Sequence, residues 1–100
     1  MADLKFTNKA KEDLNSIWFY TLNTWSEKQA DDYYNMLIST CKRLAAGSFV
    51  ASRKYPEITP DLFGAYAGKH IIFFRPFNGY GILIVRILHC RIDIKTKLMG

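Results

Sequence analysis

The fold of this chain is decided by an apolar stretch near its end, Ile82-Leu83-Ile84-Val85-Arg86-Ile87-Leu88. A single arginine interrupts an otherwise apolar run, which is typical of a strand buried on both faces. His89, Arg91 and Asp93 follow at alternate positions, so an extended backbone would direct all three side chains to one side. The sequence therefore predicts a buried strand whose end carries an ordered polar row.

The residues before this stretch predict its neighbours in a sheet. Asn78-Gly79 favours a tight hairpin turn, because a type I′ turn needs positive φ at both central positions. The turn would join a strand from His70 to Arg75 to one from Tyr80 to Leu88. A weaker strand is expected from Phe63 to Ala67.

Counting away from a two-residue turn gives a provisional register. It places Ile71 opposite Arg86, and it makes His70 and His89 diagonal neighbours on one face of the sheet. A longer turn would change this register. Arg86 should be at least half buried and paired, because an unpaired buried charge is costly. The candidate partners are Asp93, Glu57 and Asp61.

The N-terminal half predicts a short strand and a first helix. Leu4 to Thr7 alternates apolar and polar residues, as a strand does. Asn8 is the expected N-cap of the helix, with Glu12 and Asp13 in its early turns, where the helix dipole favours negative charge. Apolar residues then recur at helical spacing up to Trp25.

A second helix follows almost directly. Ser26 and Gln29 match a capping box at its start, and Gly47 is the expected stop. The short connection predicts an antiparallel αα-hairpin, with a surface loop from Ser48 to Leu62. The fold class is therefore α+β, in the order β-α-α-β-β-β, with an antiparallel sheet packed against the helical hairpin. The large aromatic residues of the helices are expected in the core: Trp18, Trp25, Tyr33 and Tyr34.

The composition of the chain limits the classes of protein to which it can belong. The 100 residues, 49% of them hydrophobic, suit a single globular domain spanning 1–100. No apolar run approaches the roughly 20 residues of a membrane span, and the start lacks a signal-peptide layout, so we expect a cytoplasmic protein. Cys41 and Cys90 are expected to be reduced, and no motif predicts a metal or cofactor. The net charge of +5 favours acidic partners.

Several of these segments resemble the ParE branch of the ParE/RelE superfamily, the toxins of bacterial type II toxin–antitoxin pairs. The match extends over nearly the whole chain, and its most specific part is the last strand with its polar row. The matching segments are Phe6-Thr7, Ala10 to Tyr20, Trp25 to Tyr33, Pro56-Glu57-Ile58, His70 to Arg75 and Arg86 to Asp93.

The resemblance implies a toxin that inhibits DNA gyrase by stabilising its cleavage complex with DNA. It also implies a cognate antitoxin that forms a hetero-oligomer with the toxin and binds it through an acidic C-terminal segment, which would match the positive net charge. Arg86 is expected to be structural. The candidate contacts to the target are His89, Arg91, Asp93, Lys95 and Lys97. The candidate contacts to the antitoxin are aromatic residues that could stay exposed: Phe19, Tyr20, Tyr55 and Tyr66.

Two other functions stay open. RelE-type relatives cut mRNA on the ribosome, which needs a base, an acid and cations around the phosphate. Against this reading, no tyrosine or histidine follows Arg91, and Asp93 puts negative charge where a phosphate would approach. The third possibility is a non-toxic relative that acts only as a binding module. The residues available for RNA cleavage are His89, Arg91, Arg75, Arg53 and Lys54.

Overall fold

The structure is a computed structural model that describes residues 3–47, 52–77, 81–92 and 98. Two helices pack against a five-stranded sheet with the strand order β1-β5-β4-β3-β2, which confirms the α+β fold class. The elements are β1 (Leu4–Phe6), α1 (Asn8–Thr24), α2 (Glu27–Ala45), β2 (Ser52–Lys54), β3 (Phe63–Ala67), β4 (His70–Phe77) and β5 (Gly81–His89).

The sheet differs from the expected one in two details. β1 pairs with β5 in parallel, so the sheet is mixed, whereas β2 to β5 form antiparallel pairs throughout. Parallel neighbours need a crossover connection, and here everything from α1 to β4 lies between the two strands in the chain. The segment expected as a loop contains β2, which pairs with β3 at the sheet edge.

The helix starts are capped by hydroxyl side chains. Thr7, and not Asn8, is the N-cap of α1, since its side chain accepts the Ala10 N–H at 3.0 Å. Ser26 caps α2 as expected, accepting the Gln29 N–H at 3.1 Å. α2 stops just before Gly47, whose φ of 98° suits glycine. Because α1 starts at Asn8, one residue earlier than expected, Asp13 lies beyond the first turn, which contains no acidic residue.

The hairpin of β4 and β5 has a different register from the expected one. Phe77 pairs with Gly81, so three residues connect the strands, and His70 and His89 lie directly opposite each other. The register shifts once more between Phe73, which pairs with Arg86, and Phe74, which pairs with Ile84. Val85 is therefore an extra residue, a β-bulge.

The bulge changes which side chains of β5 face the helices. Ile82 and Ile84 pack in the core between the sheet and the helices, and simple alternation would put Arg86 there next. The extra residue gives that position to Ile87, which is 2% exposed. Val85 packs instead with the second apolar cluster, which Tyr55 and Phe73 help to form.

Two expectations about aromatic residues are wrong. Trp25, expected in the core, is 69% exposed. It follows the last residue of α1, so the helical periodicity that predicted burial no longer applies to it. Tyr55, expected on the surface, is 3% exposed and packs edge-on against Phe73 with ring centroids 5.3 Å apart. Gly64 provides the room, because a Cβ there would lie 2.6 Å from the Tyr55 ring.

Cys41 and Cys90 are both free, the first buried and the second exposed. Among the described residues, no helix has the length and apolar character that a bilayer span requires.

Candidate functional site

The candidate site is built along the edge of β5 that faces β1 and α1. In the first half of β5, backbone groups of the N-terminal segment form hydrogen bonds with this edge. The Ile82 N–H donates to the Asp3 carbonyl at 3.0 Å, and the Thr7 N–H donates to the Ile84 carbonyl at 3.0 Å. β1 ends at Phe6, so no strand within residues 3–47, 52–77 and 81–92 pairs with the second half of β5 on this edge.

Beyond the end of β1, two side chains form hydrogen bonds with the edge of β5. The Thr7 hydroxyl donates to the Val85 carbonyl at 2.7 Å, and Asp13 accepts the Ile87 N–H at 3.0 Å. Asp13 also accepts two hydrogen bonds from Arg86, at 2.7 Å from Nε and 3.0 Å from the terminal nitrogen. One carboxylate thus ties α1 to both a side chain and the backbone of β5.

The partner of Arg86 is therefore Asp13, and the expectation of Glu57 or Asp61 was wrong. Asp61 pairs with Arg75, Glu57 pairs with Arg53, and Asp93 lies outside the described residues. The Arg86 and Asp13 side chains are 17% and 15% exposed, so Arg86 is mostly buried and paired, as the sequence predicts. The hydrogen bonds to Asp13 raise the pKa of Arg86 above its ordinary value.

Beyond Asp13, a groove of about 840 Å³ opens between the helices and the sheet. We call it the helix–sheet groove. α1 and the residue after it supply one wall, α2 the other, and the ends of β4 and β5 supply the floor. Its lining residues are Ser16, Ile17, Tyr20, Thr21, Thr24, Trp25, Gln29, Asp32, Tyr33, Met36, Lys69, His70 and His89.

A hydrogen-bonded cluster of Tyr33, His70 and His89 forms the inner end of this groove. The Tyr33 oxygen accepts the Lys69 N–H at 2.9 Å and lies 2.6 Å from Nδ1 of His70. The two histidine rings meet edge to face, with centroids 5.3 Å apart. Gly68 allows this approach, because it turns the chain at φ 59° and a Cβ there would lie 2.7 Å from the Tyr33 oxygen.

Burial sets the protonation of this cluster. Burial, with a smaller contribution from His89, lowers the pKa of His70 to about 4, although Asp13 opposes the shift. With His70 neutral, the His70 tautomer sets which of Nδ1 and the Tyr33 hydroxyl donates in the hydrogen bond between them. Burial also raises the pKa of Tyr33. The cluster is therefore uncharged at His70 and Tyr33 near neutral pH.

His89 is held by its own backbone turn. Its Nδ1 accepts the Arg91 N–H at 3.1 Å, so neutral His89 carries its proton on Nε2. The His89 carbonyl accepts the Ile92 N–H at 3.0 Å. The strand ends here in a turn, and the Arg91 side chain stays exposed.

Three of the four cationic residues considered for RNA cleavage, Arg75, Arg53 and Lys54, do not join this cluster. Arg75 lies five residues from His70 along β4, roughly 17 Å away by strand rise, and pairs with Asp61 at 3.2 Å. Arg53 and Lys54 lie on β2, three strand positions from β5, or about 14 Å. Arg53 stacks over Tyr55 at 4.3 Å, and the Lys54 ammonium lies 5.6 Å from the Phe63 ring.

The structure separates the aromatic residues considered for the antitoxin. Tyr20 is 69% exposed and lines the helix–sheet groove with Trp25. Phe19 is 58% exposed but does not line it. Tyr66 is 62% exposed on β3 and pairs with Ile71, whose side chain belongs to the cluster on the other face of the sheet. Tyr55 is buried, so it offers no surface.

Of the residues considered for the target, only His89 and Arg91 lie in the described part of the chain. Asp93, Lys95 and Lys97 lie outside it. Sequence reasoning missed Asp13, Tyr33 and Lys69 as parts of the site. The helical spacing of Tyr33 indicated only burial, and nothing local links Asp13 to a strand 73 residues away. Among the described residues, no three metal-binding side chains converge.

Comparisons with known proteins agree with this architecture. Residues 4–94 match the family model described as ParE toxin of type II toxin-antitoxin system, parDE. The chain is 36% identical over 92 residues to Toxin ParE of Escherichia coli, covering 92% of this chain and 88% of that protein. It is 34% identical over 89 residues to Toxin ParE1 of Mycobacterium tuberculosis, covering 89% and 90% of the two proteins.

A solved structure shares the fold. A chain from the chromosomal ParDE TA system of P. aeruginosa superposes with a TM-score of 0.73 at 23% identity, covering 89% of this chain and 96% of that one. The family match covers both halves of the β5 edge, both helices and the histidine cluster. This chain is a member of the ParE toxin family of type II toxin–antitoxin systems.

Proposed function

We propose that this toxin acts in the cytoplasm by binding DNA gyrase and stabilising its cleavage complex with DNA, and that a cognate antitoxin neutralises it in a hetero-oligomer. The proposal extends the family membership to a target. It describes a protein that works by binding and not by catalysis, with no metal or cofactor.

The observation that carries this proposal is the distance of Arg53, Lys54 and Arg75, three of the four cationic residues considered for RNA cleavage, from His89. RNA cleavage needs a base, an acid and cations around one phosphate. Here Arg53 and Arg75 are ion-paired on β2 and β4, both remote from His89. A binding mechanism makes no such demand on their positions.

Ribosome-dependent mRNA cleavage is the alternative, and the histidine cluster is the observation in its favour. The rings of His70 and His89 are in contact at the end of a groove. However, His70, with a pKa lowered to about 4, is a weak base near neutral pH, and its Nδ1 is occupied by Tyr33. Efficient proton transfer favours a pKa near the working pH.

Two assays run on the same purified toxin test the proposal. We expect the toxin to inhibit gyrase supercoiling and to accumulate cleaved DNA, with antitoxin reversing both effects. A translation assay with mRNA should show no codon-positioned cuts. Intact gyrase activity at high toxin excess would contradict the proposal, and cuts that disappear in His89→Ala would establish the alternative.

A further inference from the structure

The helical hairpin carries an ordered aromatic pair on its outer side. Trp18 and Phe19 of α1 meet edge to face, with ring centroids 5.3 Å apart, and the Trp18 indole N–H donates to Asp31 of α2 at 2.9 Å. Phe19 is 58% exposed and follows the buried Leu14 by five residues, so it lies about 140° further round α1. The pair is therefore fixed in position, although neither ring belongs to the core cluster between the helices and the sheet.

Exposed carboxylates accompany this pair. Asp31 and Glu27 lie one helical turn apart on the same face of α2, and neither forms an ion pair with any residue that the structure describes. We call Trp18, Phe19, Glu27 and Asp31 together the outer seam. The chain as a whole has a net charge of +5, so the outer seam is a local exception, in which acidic groups border apolar rings.

These features are typical of a protein-binding surface. Aromatic anchors with a polar rim supply much of the affinity of protein interfaces. Because Asp31 already holds the Trp18 indole, little side-chain freedom is lost on binding. The carboxylates favour a positively charged partner surface. They disfavour a second copy of this chain, since a twofold contact would bring the carboxylates of the two seams together.

We propose that the outer seam is the surface through which the toxin binds gyrase. An enzyme that binds DNA carries lysine and arginine side chains for the phosphates, and the carboxylates of the seam are complementary to such a surface. The Trp18 and Phe19 rings pack into an apolar site beside it. This inference rests on the proposed inhibition of gyrase and adds the contact surface, which differs from the polar row after β5 that the sequence suggested.

Two aromatic residues of similar exposure give a matched test. Inhibition of gyrase supercoiling is titrated with the full-length toxin as wild type, Phe19→Ala and the control Tyr66→Ala. Phe19 and Tyr66 are 58% and 62% exposed, so neither change should affect folding. We expect Phe19→Ala to need about tenfold more toxin for half-inhibition, as for the loss of an aromatic anchor, and the control less than about twofold more. Equal inhibition by Phe19→Ala and wild type would overturn the inference.

The charge of the seam is tested separately. Asp31→Asn keeps an acceptor for the Trp18 indole N–H but removes the negative charge. We expect about threefold weaker inhibition at low salt and a smaller difference from wild type as salt is added, because salt screens exposed charges. Asp3→Asn is the control, since Asp3 is exposed and its backbone bonds to Ile82 in the sheet. Unchanged or stronger inhibition by Asp31→Asn would contradict a positively charged partner surface and, with it, the inference.

Other occupants of the seam are outcomes of the same experiment. Calorimetry with the full-length cognate antitoxin should give affinities within about twofold for Phe19→Ala and wild type. If Phe19→Ala instead weakens antitoxin binding or self-association and leaves gyrase inhibition unchanged, the seam binds the antitoxin or a second copy, and the inference fails. If the wild-type toxin does not inhibit gyrase, the proposed function fails as well. Inhibition by wild type and Phe19→Ala alike removes the inference alone.

Discussion

The two halves of the β5 edge are completed in different ways. Backbone groups of Asp3 and Thr7 satisfy the edge at Ile82 and Ile84, whereas side chains of Thr7 and Asp13 satisfy it at Val85 and Ile87. A backbone ladder tolerates most side chains. A side-chain closure depends on a few particular residues, so stability in the second half should be far more sensitive to substitution.

The largest effect is expected at the Asp13–Arg86 pair. Asp13→Ala leaves a mostly buried guanidinium and the Ile87 N–H without an acceptor, which should lower the free energy of unfolding by about 3 kcal/mol. Asp13→Asn keeps an acceptor for the N–H and should lose less. Arg86→Ala should lose a similar amount, and urea unfolding of both single variants and the double variant gives the coupling. Unchanged unfolding midpoints would contradict the pair's role.

A smaller effect is expected at Thr7, which belongs to both halves. Thr7→Val keeps the shape but removes the hydroxyl that caps α1 and satisfies the Val85 carbonyl. The combined loss should be about 2 kcal/mol, measured by thermal unfolding. Thr7→Ser retains the hydroxyl and is the matched control. Lys5→Thr, on the exposed face of the backbone-closed half, should change stability by less than about 0.5 kcal/mol.

The smallest effect is a pH dependence from His70, which lies on β4 opposite His89 at the end of β5. Its pKa of about 4 in the fold lies below the ordinary value near 6.5. The unfolded chain therefore binds the proton more readily, and stability is present above pH 6.5 and lost as the pH falls towards 4. Tyr33, His89 and Asp13 are the groups that face the ring.

Because His70 is only partly buried, we expect a loss of about 1–2 kcal/mol over that interval. The measurement is the difference between wild type and His70→Gln in unfolding free energy at each pH, so that most other titrating groups cancel. A constant difference from pH 7 to pH 4 would show that His70 does not couple to folding.

The contrast between regular backbone structure and contacts made by particular side chains also explains what the sequence could and could not predict. The helices, the Ser26 cap, the β4–β5 hairpin and the burial of Arg86 follow from local periodicity and the cost of an unpaired charge. β2 was missed because three residues, Ser52 to Lys54, are too short to show alternation. The Asp13 contact was missed because it joins distant segments and no local pattern encodes it.

At the site too, the features that depend on local pattern were predicted, and those that depend on the tertiary structure were not. The proximity of His70 and His89 was predicted from the hairpin, although they lie opposite each other and not diagonally. Arg75 is separated from the histidines because β4 runs away from His70 towards Phe77. Trp25 is exposed because α1 ends at Thr24. Tyr55 is buried because Gly64 leaves space over the sheet. This contact joins residues on different segments, so local sequence does not indicate it.

The extra residue at Val85 also fixes how the hairpin can assemble. In a uniform apolar strand, a slip of one residue exchanges its two faces but keeps its hydrophobic character, so wrong alignments can compete with the right one. A strand whose period changes at one point matches its partner in a single alignment. Any slip would bring Arg86 to the helix-facing side or move Ile87 out of it. The bulge thus favours one alignment of the hairpin, the one that keeps Ile87 under the helices and Arg86 out of the core.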